Sequence, residues 1–375
     1  RLIVRAPQLC AGERLAVVGA DPALGAWDGK RAVPMVQQAY NEWATDVNVE
    51  ALAGNFLDFK FVAINDKGDV TAWETGYNRT IDVPEMKSGT LISYDLSQSF
   101  LERWNRKLAG TLVPVFSLRS KKSAGIGDFG DLKSMIDLVA KTGQKVLQLL
   151  PINDTTITHT WTDSYPYSCI SIFAIHPQYV DLNALPALAD EKERAEAEAK
   201  RVELNALPQI DYEKVNDFKV DYLRKLFAQE GDKVMKSADF KAFFQETEQW
   251  LVPYAQYSYL RDKNGTADFS QWPDHNTWDE AERKDLSNPR CKAYKEVEFF
   301  YFMQYVLNKQ MAEAHEHAKK QGVILKGDIP IGVNRYGCDV WMEPKYFNLN
   351  GQAGAPPDDF SVNGQNWGFP TYNWE

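Results

Sequence analysis

Residues 323–341 read VILKGDIPIGVNRYGCDVW, and residues 353–375 read AGAPPDDFSVNGQNWGFPTYNWE. Val323 to Leu325 form a short apolar run directly after a long helix-periodic segment, which predicts a buried strand with Asp328 at its end. In parallel α/β folds the chemistry gathers at the carboxyl ends of the strands. The loop that follows is rich in Gly, Pro and Asn and carries Phe360, Trp367, Phe369, Tyr372 and Trp374. A strand-end carboxylate beside a long aromatic loop suits a pyranose. The ring's C–H face stacks on aromatic side chains, and its hydroxyls meet carboxylates and amides. The same pattern also fits a plain strand followed by a surface loop.

Upstream, LVPVFSL (112–118) reads as a strand, DLKSMIDLVAKTG (131–143) as a helix stopped by Gly143, and KVLQLLPIN (145–153) as a second strand. Strand, helix and strand at this spacing make a βαβ unit, hence parallel strands. GIGDFG (125–130) has the literal dinucleotide-loop spacing, but Arg119–Ala124 separate it from the strand. Asp128 would also face a pyrophosphate with like charge, and no acidic residue closes the next strand. Residues 186–322 predict helices. ADEKERAEAEAKRVELN (189–205) reads as a solvated face. VNDFKVDYLRKLFAQ (215–229), the 240–263 segment and the 295–322 segment each carry apolar residues at three-to-four spacing. The aromatic run Phe299–Phe302 reads as core. His315 and His317, two apart, lie on different helix faces, so no metal pair is expected.

Residues 1–97 break into short β-type runs every 8–12 residues: LIVRA, RLAVVGA, WATDVNV, LDFKFVAI, RTIDV and LISYDL. This spacing predicts an all-β sandwich or open barrel. In LDFKFVAI, Phe59 and Phe61 fall on one face and Lys60 on the other. Trp27 lies in the turn LGAWDGK, and Trp73 lies beside Glu74 and Asn78 in AWETGYNRT. Two readings stand: indoles stacking on sugar rings, with Lys60, Glu74 and Asn78 on hydroxyls, or core tryptophans of a small sandwich. Trp43 opens an alternating strand and reads as core. The polar segment SQSFLERWNRKLAG (97–110), with a short helical pattern, is the expected linker.

The 375 residues are enough for two domains or more. A net charge of −10 without a basic tract argues against nucleic acid or an anionic membrane as partner, and no run approaches the roughly 18 apolar residues of a membrane helix. Cys10, Cys169, Cys291 and Cys338 are widely spaced without a CxxC, so reduced thiols in a cytoplasmic protein are expected.

GDIPIGV (327–333), CDVWMEPKYF (338–347), LRSKKSAGIGDFGDL (118–132) and the 353–374 loop together resemble the 4-α-glucanotransferases of glycoside hydrolase family 77. GADPALGAWD, FKFV and WETGYNR resemble a family-20 starch-binding module. The resemblance implies a multidomain chain. A sandwich-like starch-binding module (1–97) and a linker (98–110) precede the first strands of a (β/α)8 barrel (111–185). A helical insertion (186–322) and the third barrel strand with its aromatic loop (323–375) follow. It implies α-1,4-glucans as partners and neither metal nor organic cofactor. Trp27 and Trp73 would form the glucan platform, supported by Lys60, Glu74 and Asn78. Tyr167 would line the donor side of the cleft, in an element that carries one extra residue, Tyr165. Asp328 would be the supporting acid at the third strand, with Phe360 and Trp367 in the substrate loop.

Retaining glycoside chemistry needs a nucleophile and an acid/base carboxylate about 5–5.5 Å apart. The family elements that carry them, Arg-Ile-Asp-His, Glu-Asp and His-Asp, do not occur in these residues. No catalytic residue is therefore expected within the chain, which reads as the front portion of an enzyme whose acids follow Glu375. The expected parent activity is 4-α-glucanotransfer by double displacement. The rivals are a non-catalytic starch-binding protein and a plain α-glucan hydrolase.

Overall fold

Strict alternation along residues 57–64 builds the first unit. Phe59, Phe61 and Ala63 are buried on one side of the strand, and Lys60, Val62 and Ile64 face the other. The computed structural model describes residues 1–6, 9–102 and 108–375, in two units, Arg1–Lys107 and Leu108–Glu375.

The first unit contains strands β1 (Leu2–Arg5), β2 (Arg14–Gly19), β3 (Val33–Pro34), β4 (Val36–Ala39) and β5 (Glu42–Thr45), then β6 (Phe56–Ile64), β7 (Val70–Trp73), β8 (Arg79–Asp82) and β9 (Tyr94–Gln98). One sheet runs β4-β5-β1-β9 and the other β3-β2-β6-β7, with β8 also on β6. The long β6 takes β8 along its first half, Phe56 opposite Asp82, and β7 along its second, Val62 opposite Trp73. Leu2, Val4 and Trp43 from one sheet meet Leu15, Val17, Phe59 and Phe61 from the other in a single core. Trp43 is buried there. The run WATDVNV is strand only to Thr45, because Asn48 caps a short 3-10 turn at Val49–Ala51. The boundary expected at residue 97 also moves. Leu101 is buried in the same core and bridges to Glu74, so residues 98–102 complete the module. The helical pattern expected over 97–110 falls partly on residues 103–107, outside the described residues.

The second unit opens with β10 (Gly110–Val113), α1 (Phe129–Lys141) and β11 (Val146–Leu149). The strand expected over 112–118 ends at Val113. Pro114 has no N–H to donate, and the chain folds into a 3-10 turn at Val115–Ser117. Asp128 caps α1, accepting from the N–H groups of Gly130 and Asp131, while Asp131 answers with a bond from the N–H of Asp128. The helix N-terminus of the GIGDFG loop thus already holds a carboxylate. Glycine is required at Gly127, where a Cβ would strike the Val115 carbonyl.

Next come α2 (Glu191–Asn205), α3 (Tyr212–Lys236), α4 (Ala238–Asn264), α5 (Glu280–Leu286) and α6 (Tyr294–Gln321). Among the described residues of α2 only Leu204 is buried, as a solvated helix requires, whereas α6 buries Phe299, Phe300, Tyr301 and Phe302. After α6, β12 (Ile324–Lys326) completes a parallel sheet in the order β10-β11-β12, with Leu147 opposite both Thr111 and Leu325. β12 starts one residue after Val323, because Val323 still donates to Ala318 in the C-cap of α6. Leu147 and Leu149 pack under α1 and α6. The opposite face leaves Leu112 and Ile324 more than half exposed. Barrel closure is not seen: the second unit is a partial, mixed α/β domain. Helix α7 (Cys338–Met342) and four two-residue strands, β13 (Phe347–Asn348), β14 (Gly354–Ala355), β15 (Gln365–Asn366) and β16 (Thr371–Tyr372), end the chain. No helix among the described residues is long and apolar enough to cross a membrane.

Candidate functional site

In the first unit, the outer face of the β2–β6–β7 sheet collects the candidate residues. Lys60 and Val62 share that face, and Val62 lies opposite Trp73. Trp73 is 37% exposed. Trp27, like Val70, packs against the patch of Ala16, Val18, Val62 and Ile64 on the same face. Its backbone is left-handed, with φ of 61° at Trp27 and 51° at Ala26. A bulky residue held there is uncommon, and such strain concentrates at binding sites. The turn is held by Asp21, which caps the short helix Pro22–Leu24, and by the bond from the Trp27 N–H to the Gly19 carbonyl.

The loop after Trp73 is pinned from beneath. Lys60 Nζ donates to the carbonyls of Glu74 and Gly76, and the Asn78 amide donates to Asp58 Oδ2. Tyr77, between these anchors, is 99% exposed. Glu74 departs from its expected place on the sugar side. One residue beyond Trp73, alternation turns it inward, where it is 5% exposed. Its Oε1 accepts from Arg79 Nε and Nη2, and its Oε2 accepts from the Phe61 N–H. Glu74 therefore ties β8 to β6 at the end of β7, and only its carbonyl reaches the Lys60 side. Asp58 and Tyr77 escaped the sequence reading. The alternation of LDFKFVAI places Asp58 on the face of Lys60, and that signal was available.

In the second unit, Tyr167 and Asp328 meet. Tyr167 Oη donates to Asp328 Oδ2 at 2.8 Å, and both side chains are half-buried. The hydrogen bond to Asp328, aided by burial and by the carboxylate charge, raises the phenol's pKa. Tyr167 follows β11 and Asp328 follows β12, so neighbouring parallel strands deliver the pair. The loop that carries Tyr167 is built on two buried aspartates. Asp154 takes the Thr156 N–H and the Tyr254 hydroxyl, while Asp163 takes the N–H groups of Ile157, Thr158 and His159. Asp163 is thereby turned into its own loop. Residues 168–172 are then laced to residues 332–339. Cys169 bridges Val333, Asn334 donates to the Cys169 carbonyl and to Ser168 Oγ, and Ile172 N–H donates to Asp339 Oδ2.

The terminal loop is a small ladder, with β14 on β15 and β13 on β16. Phe369, buried, seats its base on Gly332, where any Cβ would strike the ring. Trp367 is 39% exposed and donates its indole N–H to Gln365 Oε1. Phe360 stands fully outward at the tip, its turn held by Asp358. Phe369 anchors the loop to the segment that follows Asp328, while Trp367 and Phe360 stay available. Trp272, in the 267–278 loop, is packed against Tyr257 and Trp341 in the core. Among the described residues no group of three or more His, Cys, Asp or Glu is arranged to hold a metal ion.

Both halves match known families. The family model described as starch binding domain matches residues 2–93, and that described as 4-alpha-glucanotransferase matches residues 113–375. The chain is 39% identical over 377 residues to 4-alpha-glucanotransferase DPE2 of Oryza sativa subsp. japonica, an alignment that takes in 100% of this chain and 39% of that protein. It is 34% identical over 269 residues to the 4-alpha-glucanotransferase of Chlamydia muridarum, covering 70% of this chain and 49% of that protein. The chain thus spans less than half the length of either relative. The solved amylomaltase from Streptococcus agalactiae in complex with acarbose superposes with a TM-score of 0.58 and 25% identity, covering 72% of this chain and 54% of that one. Amylomaltase from Corynebacterium glutamicum, at 16% identity and a TM-score of 0.57, shares the fold over 97% of this chain and 48% of that one. With one family model spanning most of the residues and the other accounting for the β module, the chain belongs to the 4-alpha-glucanotransferases of glycoside hydrolase family 77 and carries a starch-binding domain.

Proposed function

We propose that the protein transfers α-1,4-glucan segments between maltodextrin chains, and that these 375 residues supply its glucan-binding surfaces rather than its reacting carboxylates. The observation that carries the reading is the Tyr167–Asp328 pair at the carboxyl ends of neighbouring strands. A phenol and a carboxylate so joined offer one hydroxyl acceptor and one apolar ring edge to a pyranose. The aromatic loop seated through Phe369 adds Trp367 and Phe360 as stacking surfaces. The acarbose-bound amylomaltase supports an α-glucan in a cleft of this fold. On the β module, Trp27 and Trp73 are the platform, with Lys60 and Asn78 shaping the loop beside it.

In the transfer an aspartate displaces one glucan and forms a glucosyl-enzyme. The 4-hydroxyl of a second glucan then resolves it, activated by an acid/base glutamate. No segment of the chain carries the sequence elements of either acid. The exposed sheet face with Leu112 and Ile324 is the one that a closed (β/α)8 barrel encloses, since helices already cover the other. Tyr167 and Asp328 act on binding and orientation of the donor-side sugar.

The test is incubation of the pure 375-residue protein with maltotriose, beside titration with acarbose and β-cyclodextrin. Binding of both ligands without glucose or longer maltodextrins is the expected result. Robust disproportionation would overturn the placement of the acids, with Asp328 the first to re-examine. Release of glucose and maltose without longer products would assign a hydrolase. Absence of acarbose binding would leave the module as the sole glucan site and favour a non-catalytic binding protein.

A further inference from the structure

We propose that Asp339 is a positioning residue for Tyr167: its carboxylate fastens residues 168–172 to residues 333–339 and thereby sets where the phenol meets Asp328. The inference deepens the reading of Tyr167 and Asp328 as one wall of the cleft and rests on it.

The lacing between the two segments runs in order along the chain. Asn334 Nδ2 donates to Ser168 Oγ at 2.9 Å, the Asn334 N–H to the Cys169 carbonyl at 2.7 Å, and the Asp339 N–H to the Ile170 carbonyl at 3.2 Å. The last link runs the other way, from the Ile172 N–H to Asp339 Oδ2 at 2.9 Å, and Ser171 adds a side-chain bond to the same carboxylate. Asp339 thus grips the segment twice, once through its backbone and once through its side chain. Tyr167 is the residue before this segment begins. Asp328 lies before the other strap, in which Val333 bridges Cys169. Loss of the far link lets residues 171–172 peel away, and the slack passes to Ser168 and Tyr167.

A carboxylate is a costly way to hold one N–H. Asp339 is only 8% exposed. The groups that feel its charge are the thiols of Cys169 and Cys338, on the two straps, and the phenol of Tyr372 on β16. Asp154, from the loop behind, acts on the same thiols. No cation is among them. A neutral amide would make the Ile172 bond without burying charge. What the anion adds is a stronger, better-fixed acceptor for two donors. Burial pushes the Asp339 carboxyl up to about 6, so the grip loosens when it gains a proton in mildly acid solution.

The experiment follows Tyr167 by NMR on the whole chain labelled with 13Cζ-tyrosine. The Tyr167→Phe variant gives the assignment, and Asp328→Asn marks the signal when the carboxylate partner is gone. In the wild type the Tyr167 signal should move with an inflection near pH 6. Asp339→Asn, neutral at every pH, should hold the signal near its wild-type acid-side position and abolish the inflection. Asp339→Ala should shift the signal toward that of Asp328→Asn. An Ala variant that folds with Tyr167 unmoved overturns the proposal. An Asn variant that retains the inflection also overturns it, and this comparison decides the matter if Asp339→Ala does not fold. Addition of maltotriose separates the two readings. A Tyr167 signal that answers to Asp339 but not to sugar supports the clamp and rejects the cleft.

Discussion

Lys60 Nζ lies 3.0 Å from the Glu74 carbonyl and 2.6 Å from the Gly76 carbonyl, so one ammonium fixes the turn that follows Trp73. Lys60→Met keeps the stem and removes both bonds. Residues 75–78 of the turn are exposed, so the thermal midpoint should change little. Affinity for β-cyclodextrin should fall by about tenfold, about 1.4 kcal/mol. Titration calorimetry reads the loss directly, and wild-type affinity would mean that the turn is rigid without the lysine.

Trp27→Ala and Trp73→Ala should each weaken β-cyclodextrin binding by about 1–3 kcal/mol, as removal of an aromatic anchor does. Trp43→Ala should do the reverse. Its indole is in the module core, so stability should fall by about 3–5 kcal/mol while the folded fraction still binds. Parallel denaturation and calorimetry on the three variants check the separation.

Glu74→Gln tests the inward placement of that side chain. The substitution strips the charge that faces Arg79 in a pair with little solvent access. Arg79 keeps its bonds to the Leu96 and Gln98 carbonyls, so loss of the charged acceptor should cost about 1.5–3 kcal/mol. Denaturant midpoints should drop sharply, and β-cyclodextrin affinity measured on the remaining folded protein should hold. Lost affinity with intact stability would return Glu74 to the sugar.

Asp339 and Asp128 set the alkaline side of the stability profile. Burial pushes their carboxyls up to about 6 and about 7, against an ordinary 3.8. The folded state therefore holds these protons more tightly than the unfolded chain. Stability is lowest above about pH 7 and rises as the pH falls toward 3.8. Asp262 has the opposite sign. The Arg261 charge and the His159 bond overcome its burial and hold it down at about 2, so its contribution is lost as the pH falls from 3.8 through 2. The thermal midpoint should peak between about pH 4 and 6. Asp339→Asn should raise it at pH 8 by on the order of 3 kcal/mol in stability, and the gain should shrink as the pH falls through 6 and vanish only below about 3.8. A midpoint that climbs steadily from pH 5 to 8 would contradict this sign.

Much of this molecule was legible because its signals are local. Period-two alternation placed Phe59, Phe61 and Lys60 correctly, and the helical spacing of residues 295–322 named its own core. Glu74 adjoins Trp73 in sequence, but alternation sends the two side chains to opposite faces, a separation that adjacency alone does not show. Asp339 gave no local sign at all. Its importance comes from an N–H that is 167 residues away in sequence. The strand over 112–118 was overextended because the apolar run continues past Pro114, where the hydrogen-bonding cannot.

Gly332→Ala should unseat the terminal loop. The new methyl group would occupy the place of the Phe369 ring. Such overpacking costs about 1–3 kcal/mol. Acarbose affinity should fall while β-cyclodextrin binding at the module stays unchanged, and fluorescence of Trp367 and Trp374 should report the displaced loop.

The pairing of Leu147 with Leu325 closes a gap of 178 residues, and this constrains the order in which the second unit assembles. A flexible chain of that length would bring the two strands together slowly, since long closures are won late in folding. Helices α3, α4 and α6 earn most of their contacts within the gap. Once they condense, they return the chain to within a few residues of where it left the sheet. The helical insertion therefore acts as an intramolecular template for β12. Refolding followed by far-ultraviolet dichroism should run ahead of the protection of β11 and β12 amides from exchange. The surface that Tyr167 and Asp328 build together should be among the last parts of the unit to become native.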